Sequence, residues 1–168
     1  LASCVRRWYT DARGRLRRLG IDPGTRRVGV AVADDEGMLA SPRDTIEHVS
    51  DEATARAIAK IAEEEDAGEI VVGLPLGLDG REGPSSRHAR SLARAIAKAS
   101  GRRVVLWDER MTSQAAHRAL AAGGASSRDR RGKVDRIAAA LLLESYLEAQ
   151  RAKAAREARA RREDDEDP

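Results

Sequence analysis

The chain contains no phenylalanine, a single cysteine (Cys4) and only four other aromatic residues, Trp8, Tyr9, Trp107 and Tyr146. One cysteine excludes an internal disulfide. So few aromatics exclude modules that read single strands by stacking bases on aromatic platforms, so a nucleic-acid partner would be gripped mainly through its phosphates. No apolar run approaches the roughly 20 residues of a membrane span. The arginine-bearing segment from Leu1 to Gly20 lacks the continuous apolar stretch of a secretory signal. Together these absences predict a cytoplasmic protein with no membrane partner.

Charge is plentiful but unevenly placed. The net charge is +3, yet residues 1–18 hold six arginines against Asp11, and residues 151–168 balance six basic with six acidic groups, which leaves the intervening 132 residues at −2. The basic character therefore belongs to the N-terminal extension rather than to the body of the chain. Within the body, Arg128, Arg130, Arg131 and Lys133 surround one acid, Asp129, just before Asp135. At 168 residues the chain has room for one ordinary domain. The expected organisation is a flexible basic extension over residues 1–18, a folded domain over 19–150 and a charged tail over 151–168. That tail continues the last helix and then becomes disordered, because it has no apolar side chain larger than alanine to offset its ordering entropy.

The hydrophobic pattern reads as alternating strands and helices. A first strand ends at Asp22, and Val28, Val30 and Val32 then alternate with Gly29, Ala31 and Ala33, giving a strand with one bulky and one small face. A third strand follows from Met38 to about Thr45. Asp51–Asp66 reads as a helix closed by Gly68, with Ala57, Ile58, Ile61 and Ala62 inward. Ile70–Leu74 and Arg103–Glu109 read as buried parallel strands, separated by a Gly-rich loop and a helix from Ser85 to Ala99. Thr112 and Ser113 cap a short helix that carries Ala115, Ala116, Ala119 and Leu120. A last helix spans Val134–Gln150, with Val134, Ile137, Ala138, Leu141, Leu142 and Ser145 on one face. The fold class is α/β, a mixed sheet of five strands, early antiparallel and later parallel, with helices on both faces.

Three acids occupy special places in this scheme. Asp22 stands between a strand and a Pro-Gly turn, Glu109 follows the last strand, and Asp135 lies in the first turn of the last helix. Each has an ordinary alternative, as a turn cap, as a partner of Arg110 and as a helix-dipole acid respectively. If the two strands are parallel neighbours, their ends meet at the edge where α/β sheets bind ligands. Converging carboxylates repel unless a cation joins them, and all-oxygen ligands favour Mg²⁺ or Mn²⁺ over zinc. Two such ions roughly 4 Å apart suit hydrolysis of a phosphodiester.

Four colinear segments then resemble the YqgF/RuvX family: the strand ending Gly29-Val30-Ala31-Val32-Ala33-Asp34; Val72-Gly73-Leu74-Pro75 through Asp79-Gly80; Asp108-Glu109-Arg110-Met111-Thr112-Ser113; and Arg130 through Ala139. The resemblance covers roughly residues 19 to 149. It implies a ribonuclease H-like fold related to the RuvC Holliday-junction resolvases, and a cytoplasmic nuclease that matures the 5′ end of precursor 16S ribosomal RNA. The family's catalytic acids fall on Asp22, Glu109 and Asp135. Asp108 shares a motif with Glu109 but should point the other way, so it ranks second as a metal ligand. Gly77 stands where the family often has asparagine.

The remaining residues are read more plainly. Arg128, Arg130, Arg131 and Lys133 form the expected phosphate clamp, together with Arg110, whose fork suits a phosphate. Thr25, Arg26 and Arg27 beside Asp22 are secondary phosphate contacts. His48, His88 and His117 lack ligand spacing, so no metal is expected there. The Gly-rich loop is not a P-loop. Competing readings are a Holliday junction resolvase acting on branched DNA, a non-catalytic nucleic-acid-binding factor in transcription or ribosome assembly, and an actin-like ATPase or sugar kinase starting at Asp22-Pro23-Gly24-Thr25. The last needs two domains. A resolvase favours a symmetric homodimer, whereas trimming an RNA end requires only a monomer.

Overall fold

A computed structural model describes residues 16–77, 79–111 and 127–165 of the chain. Strands β1 (Arg18–Pro23), β2 (Arg27–Ala33), β3 (Ala40–Glu47), β4 (Glu69–Leu74) and β5 (Arg103–Asp108) form one sheet in the order β3-β2-β1-β4-β5. The first three strands are an antiparallel meander. β4 and β5 run parallel to β1, so Pro23, Leu74 and Asp108 end at the same edge. This is the mixed five-stranded sheet that the pattern predicted. Helices α1 (Asp51–Glu64), α2 (Pro84–Ser100) and α3 (Ser127–Asp165) pack on its two faces.

The alternation in β2 explains how the faces are used. Leu19, Ile21, Val28, Val30, Ile70 and Val72 project to one side and pack against Ile58, Ala62, Leu92 and Ile96 of α1 and α2. Burying each of these large side chains is worth about 1.5–3 kcal/mol. The opposite side carries Gly20, Gly29, Ala31 and Ala33, and there α3 lies close to the sheet through Ala139, Leu142, Leu143, Tyr146 and Leu147. A Cβ on Gly20 would fall 2.7 Å from the Ala139 carbonyl, and one on Gly29 2.0 Å from the Asp135 carbonyl. The small face is thus a slot for a helix backbone.

Several boundaries differ from the sequence reading. Ser50 caps α1, its hydroxyl accepting from Ala53 N–H at 3.2 Å. The helix stops at Glu64; Asp66 takes the left-handed turn (φ 49°), and Gly68 donates its N–H to the Arg17 carbonyl instead of closing the helix. Thr54 and Ala55 are buried in α1, where Ala57 was expected. α3 starts at Ser127 and runs to Asp165, with its last two turns and more exposed from Arg151 to Arg162. Its buried face is Ala139, Ala140, Leu142, Leu143, Tyr146 and Leu147, rotated from the expected one, and Val134 is exposed. The cause is visible in the sequence: residues 137–143 are all apolar, so periodicity alone could not choose a face. The short helix expected from Thr112 to Leu120 lies outside the described residues, as does residues 1–15 of the extension.

At the far end of the sheet, β4 begins with the fully buried Glu69. Its Oε2 accepts from Arg18 Nε at 2.8 Å and from the Tyr146 hydroxyl at 3.0 Å, while Oε1 faces Arg103 Nη1 at 3.0 Å without hydrogen-bond alignment. Burial, followed by the Glu69 charge, pushes the Tyr146 hydroxyl up to about 12. This cluster fixes α3 to β4 at one end as the glycines do at the other. Replacing Gly29 by alanine should therefore destabilise the protein by about 3 kcal/mol, the upper end of overpacking costs, in denaturant unfolding, because backbone cannot move aside as a flexible side chain can. Gly83→Ala, at a site with open space around it, should cost less than about 1 kcal/mol.

Candidate active site

Asp22 sits on the α3 side of β1, two residues after Gly20 and paired in register with Gly29. Because Gly29 lies directly beneath the Asp135 carbonyl, the same contact that seats α3 delivers Asp135 to Asp22. Asp135 is not in the first turn of its helix, as the sequence suggested, but more than two turns inside it. Its orientation comes instead from Arg27, whose Nε donates to Asp135 Oδ2 at 2.8 Å. Glu109 opens a short 3-10 turn (Glu109–Met111) directly after β5 and reaches back over β4. A Cβ on Gly73 would fall 2.6 Å from Glu109 Oε1, so that glycine leaves the space the carboxylate occupies.

Asp22 and Glu109 each feel neighbouring carboxylates. Asp22 is pushed up to about 6, first by burial and then by the charge of Asp135. Glu109 is pushed up to about 7, first by burial and then by the charges of Asp22 and Asp108. Desolvation and like charges both penalise ionised carboxylates, and a bound cation removes both penalties. Asp108 behaves oppositely: hydrogen bonds from Arg110 hold its carboxyl below the usual carboxylate range. Arg110 Nε lies 3.1 Å from each Asp108 oxygen and Nη2 2.6 Å from Oδ2. Adjacent acids are thus sorted by their neighbours, Glu109 toward the other carboxylates and Asp108 into an ion pair.

The expected phosphate contacts fare unevenly. Arg110 already has its fork on Asp108, and Arg27 is engaged by Asp135, a positioning role that the sequence reading did not assign. Thr25 and Arg26 are exposed in the turn after Asp22, and Lys133 is exposed on α3. Arg128, Arg130 and Arg131 belong to the helical backbone of α3 rather than to a loop, and their side chains lie outside the described residues. The histidines lack ligand spacing in the sequence, yet His48 and His88 meet Asp51 on the opposite face of the sheet. Their spacing in sequence, 40 residues, concealed a contact that only the packing of α2 beside α1 creates. His117 lies outside the described residues.

A family model described as "RuvX: Holliday junction resolvase" matches residues 16–149. A protein of Anaeromyxobacter sp. (strain Fw109-5) named "Putative pre-16S rRNA nuclease" is 42% identical over 137 residues, covering 82% of this chain and all of that relative. A protein of the same name from Myxococcus xanthus (strain DK1622) is 39% identical over 136 residues, covering 81% of this chain and 90% of its own. Among solved structures, T. thermophilus RuvC in complex with a Holliday junction substrate superposes with a TM-score of 0.51 at 16% identity, covering 80% of this chain and 96% of that one. The last similarity establishes the fold, which is ribonuclease H-like.

The electrostatics make a prediction for stability without metal. Asp22 and Glu109 bind protons more tightly in the folded chain than in the unfolded one, so their contribution is fully present below about pH 4. It is lost as pH rises through about 6 and 7. Asp22→Asn should therefore raise the stability of the metal-free protein at pH 8 by about 1–3 kcal/mol and have little effect at pH 4. Thermal melting in a chelator at the two pH values checks this; equal shifts at both would show that repulsion is not the cause.

Proposed function

The chain belongs to the RuvX family and is a nuclease, and on that basis we propose that Asp22, Glu109 and Asp135 are its catalytic metal ligands and that it processes the 5′ end of precursor 16S rRNA. The observation that carries the ligand assignment is placement: Asp22 pairs with Gly29, on which the Asp135 backbone sits, and Glu109 reaches over Gly73 of the strand beside β1; the upward shifts of Asp22, by burial and Asp135, and of Glu109, by burial, Asp22 and Asp108, accord with it. The donor set fits a hard divalent ion, since all three groups offer oxygen, although among the described residues their oxygens do not yet converge into one cluster and an ion would draw them together. Mg²⁺ or Mn²⁺ is the expected ion. When bound, it would activate water and stabilise the leaving oxygen of the phosphodiester.

The chain's own groups have separable tasks in this reading. β1 gives Asp22 a rigid base, and the half-buried setting keeps its carboxylate dehydrated enough to favour an ion over water. Arg27 orients Asp135 and offsets one of the three negative charges. Asp108 holds Arg110 at the mouth of the site, where the guanidinium also lies 3.4 Å from the position a Cβ on Gly80 would take. The Gly80 loop and Arg110 thus form one wall beside Glu109. The rRNA substrate rests on the names of the relatives, and a cytoplasmic location follows from it. Among the described residues no helix is long and apolar enough to cross a membrane.

A second reading, cleavage of four-way DNA junctions, draws on the family description and would favour a homodimer over a monomer. Both substrates should be incubated side by side with the full chain and Mg²⁺ or Mn²⁺. Asp22→Asn, Glu109→Gln and Asp135→Asn should each slow cleavage at least about 100-fold, or about 2.7 kcal/mol of barrier. Arg27→Ala should slow it about tenfold, with partial recovery at high Mn²⁺. Equal cleavage by wild type and Asp22→Asn would sink the ligand assignment. Cleavage of the junction but not of the rRNA would move the substrate to branched DNA.

A further inference from the structure

On the opposite face of the sheet from the acids, three side chains converge beneath the turn that follows Asp22. His48 stands just after β3, Asp51 opens α1, and His88 lies in the second turn of α2. One ligand atom from each lies within 4.8 Å of the others. His48 Nε2 and His88 Nδ1 both face Asp51 Oδ1, at 3.6 and 3.9 Å. Those separations are too long for hydrogen bonds, so the cluster is not a hydrogen-bonded relay. Donors around a tetrahedral zinc ion, with bonds of 2.0–2.2 Å, stand about 3.3 Å apart, so the three need to draw in by no more than about 1.5 Å.

The atoms pointing away from the centre are each already engaged. His48 Nδ1 lies 2.9 Å from the hydroxyl of the buried Thr54. His88 Nε2 lies 3.4 Å from the Gly24 carbonyl, and Asp51 Oδ2 accepts from the Ser91 hydroxyl at 2.5 Å. Metal-bound imidazoles characteristically give their second nitrogen to an oxygen, which fixes the tautomer and aims the first nitrogen at the ion. Here every candidate ligand has that outer partner and turns its remaining atom inward. The rings meet edge to face at 4.8 Å between centroids, an arrangement that leaves both inward nitrogens beside Asp51.

We infer that His48, Asp51 and His88 form a second metal site, one that takes Zn²⁺ in preference to Mg²⁺. Two imidazoles and one carboxylate suit zinc, whereas Mg²⁺ demands oxygen ligands, so the two faces of the same sheet edge select different ions. Bound there, zinc ties the start of α1 and the second turn of α2 to the β1–β2 turn, because His88 touches Gly24 and the His48 N–H donates to the Arg26 carbonyl at 2.9 Å. That turn carries Asp22 on its first strand.

Equilibrium dialysis of the full chain against ZnCl₂ in excess Mg²⁺, paired with thermal melting, tests the assignment. One equivalent of zinc should bind to wild type, to Asp22→Asn and to a Cys4→Ser/His117→Gln double variant, and it should raise the melting temperature of all three. His88→Gln and His48→Gln should each weaken zinc binding at least tenfold and abolish the melting shift. Asp51→Asn keeps an acceptor for Ser91 and should weaken binding likewise while melting normally without zinc, which separates ligand loss from unfolding. Zinc bound equally by Asp51→Asn and His88→Gln, displaced by Mg²⁺, or absent from wild type would overturn the site.

Discussion

The close seating of α3 on β1, β2 and β4 is the constraint from which the candidate site follows. A helix backbone can lie that near a sheet only where the strands present no side chain, and Gly20, Gly29 and Gly73 supply the gaps. Each gap also has a local consequence: Gly20 takes Leu143, Gly29 takes the Asp135 backbone, and Gly73 takes Leu142 together with the Glu109 carboxylate. Asp22 emerges from the same face, so the side of the sheet emptied for a helix is the side that carries the acids. Their partial burial, the leading cause of both upward shifts, is a product of that packing and not a separate device.

Charge is treated differently at the two ends of the sheet. At the start of β4, buried Glu69 has Arg18, Arg103 and the Tyr146 hydroxyl directly on it, which is how a folded protein ordinarily accommodates a dehydrated carboxylate. At the other end carboxylates face carboxylates, and Arg27 answers only Asp135. Stability alone offers no reason to leave that end uncompensated. A divalent ion supplies one, since it offsets several negative charges at a single point. The contrast within one sheet is therefore stronger support for a metal site than the acids taken singly.

Much of this was legible in the chain because it depends on short-range patterns. The alternation of Val28, Val30 and Val32 with Gly29, Ala31 and Ala33 announced a sheet with a bulky and a small face, and the acids stood at strand ends that parallel pairing would align. What escaped were pairings across distance. Arg27 looked like a phosphate contact because nothing local ties it to a residue 108 positions away. Glu69 drew no reading from the sequence, because its partners come from β1, β5 and α3. The buried side of α3 was misjudged because an unbroken apolar run fits any face, and the choice belongs to the glycines opposite it.

The same pairings bear on how a polyanion could be held. The body of the chain is net negative, and two of the arginines nearest the acids are already neutralised, Arg27 by Asp135 and Arg110 by Asp108. A neutral ion pair attracts phosphate far less than a lone guanidinium does, so a phosphate reaching Arg110 must compete with Asp108 for its fork. That competition makes positioning selective, because only a phosphate placed well enough to replace a bidentate carboxylate gains the contact. Long-range attraction from the described residues then rests on exposed cations such as Arg26 and Lys133. A divalent ion bound by the acids would be both the chemical agent and the main positive charge that a phosphodiester meets at the strand edge.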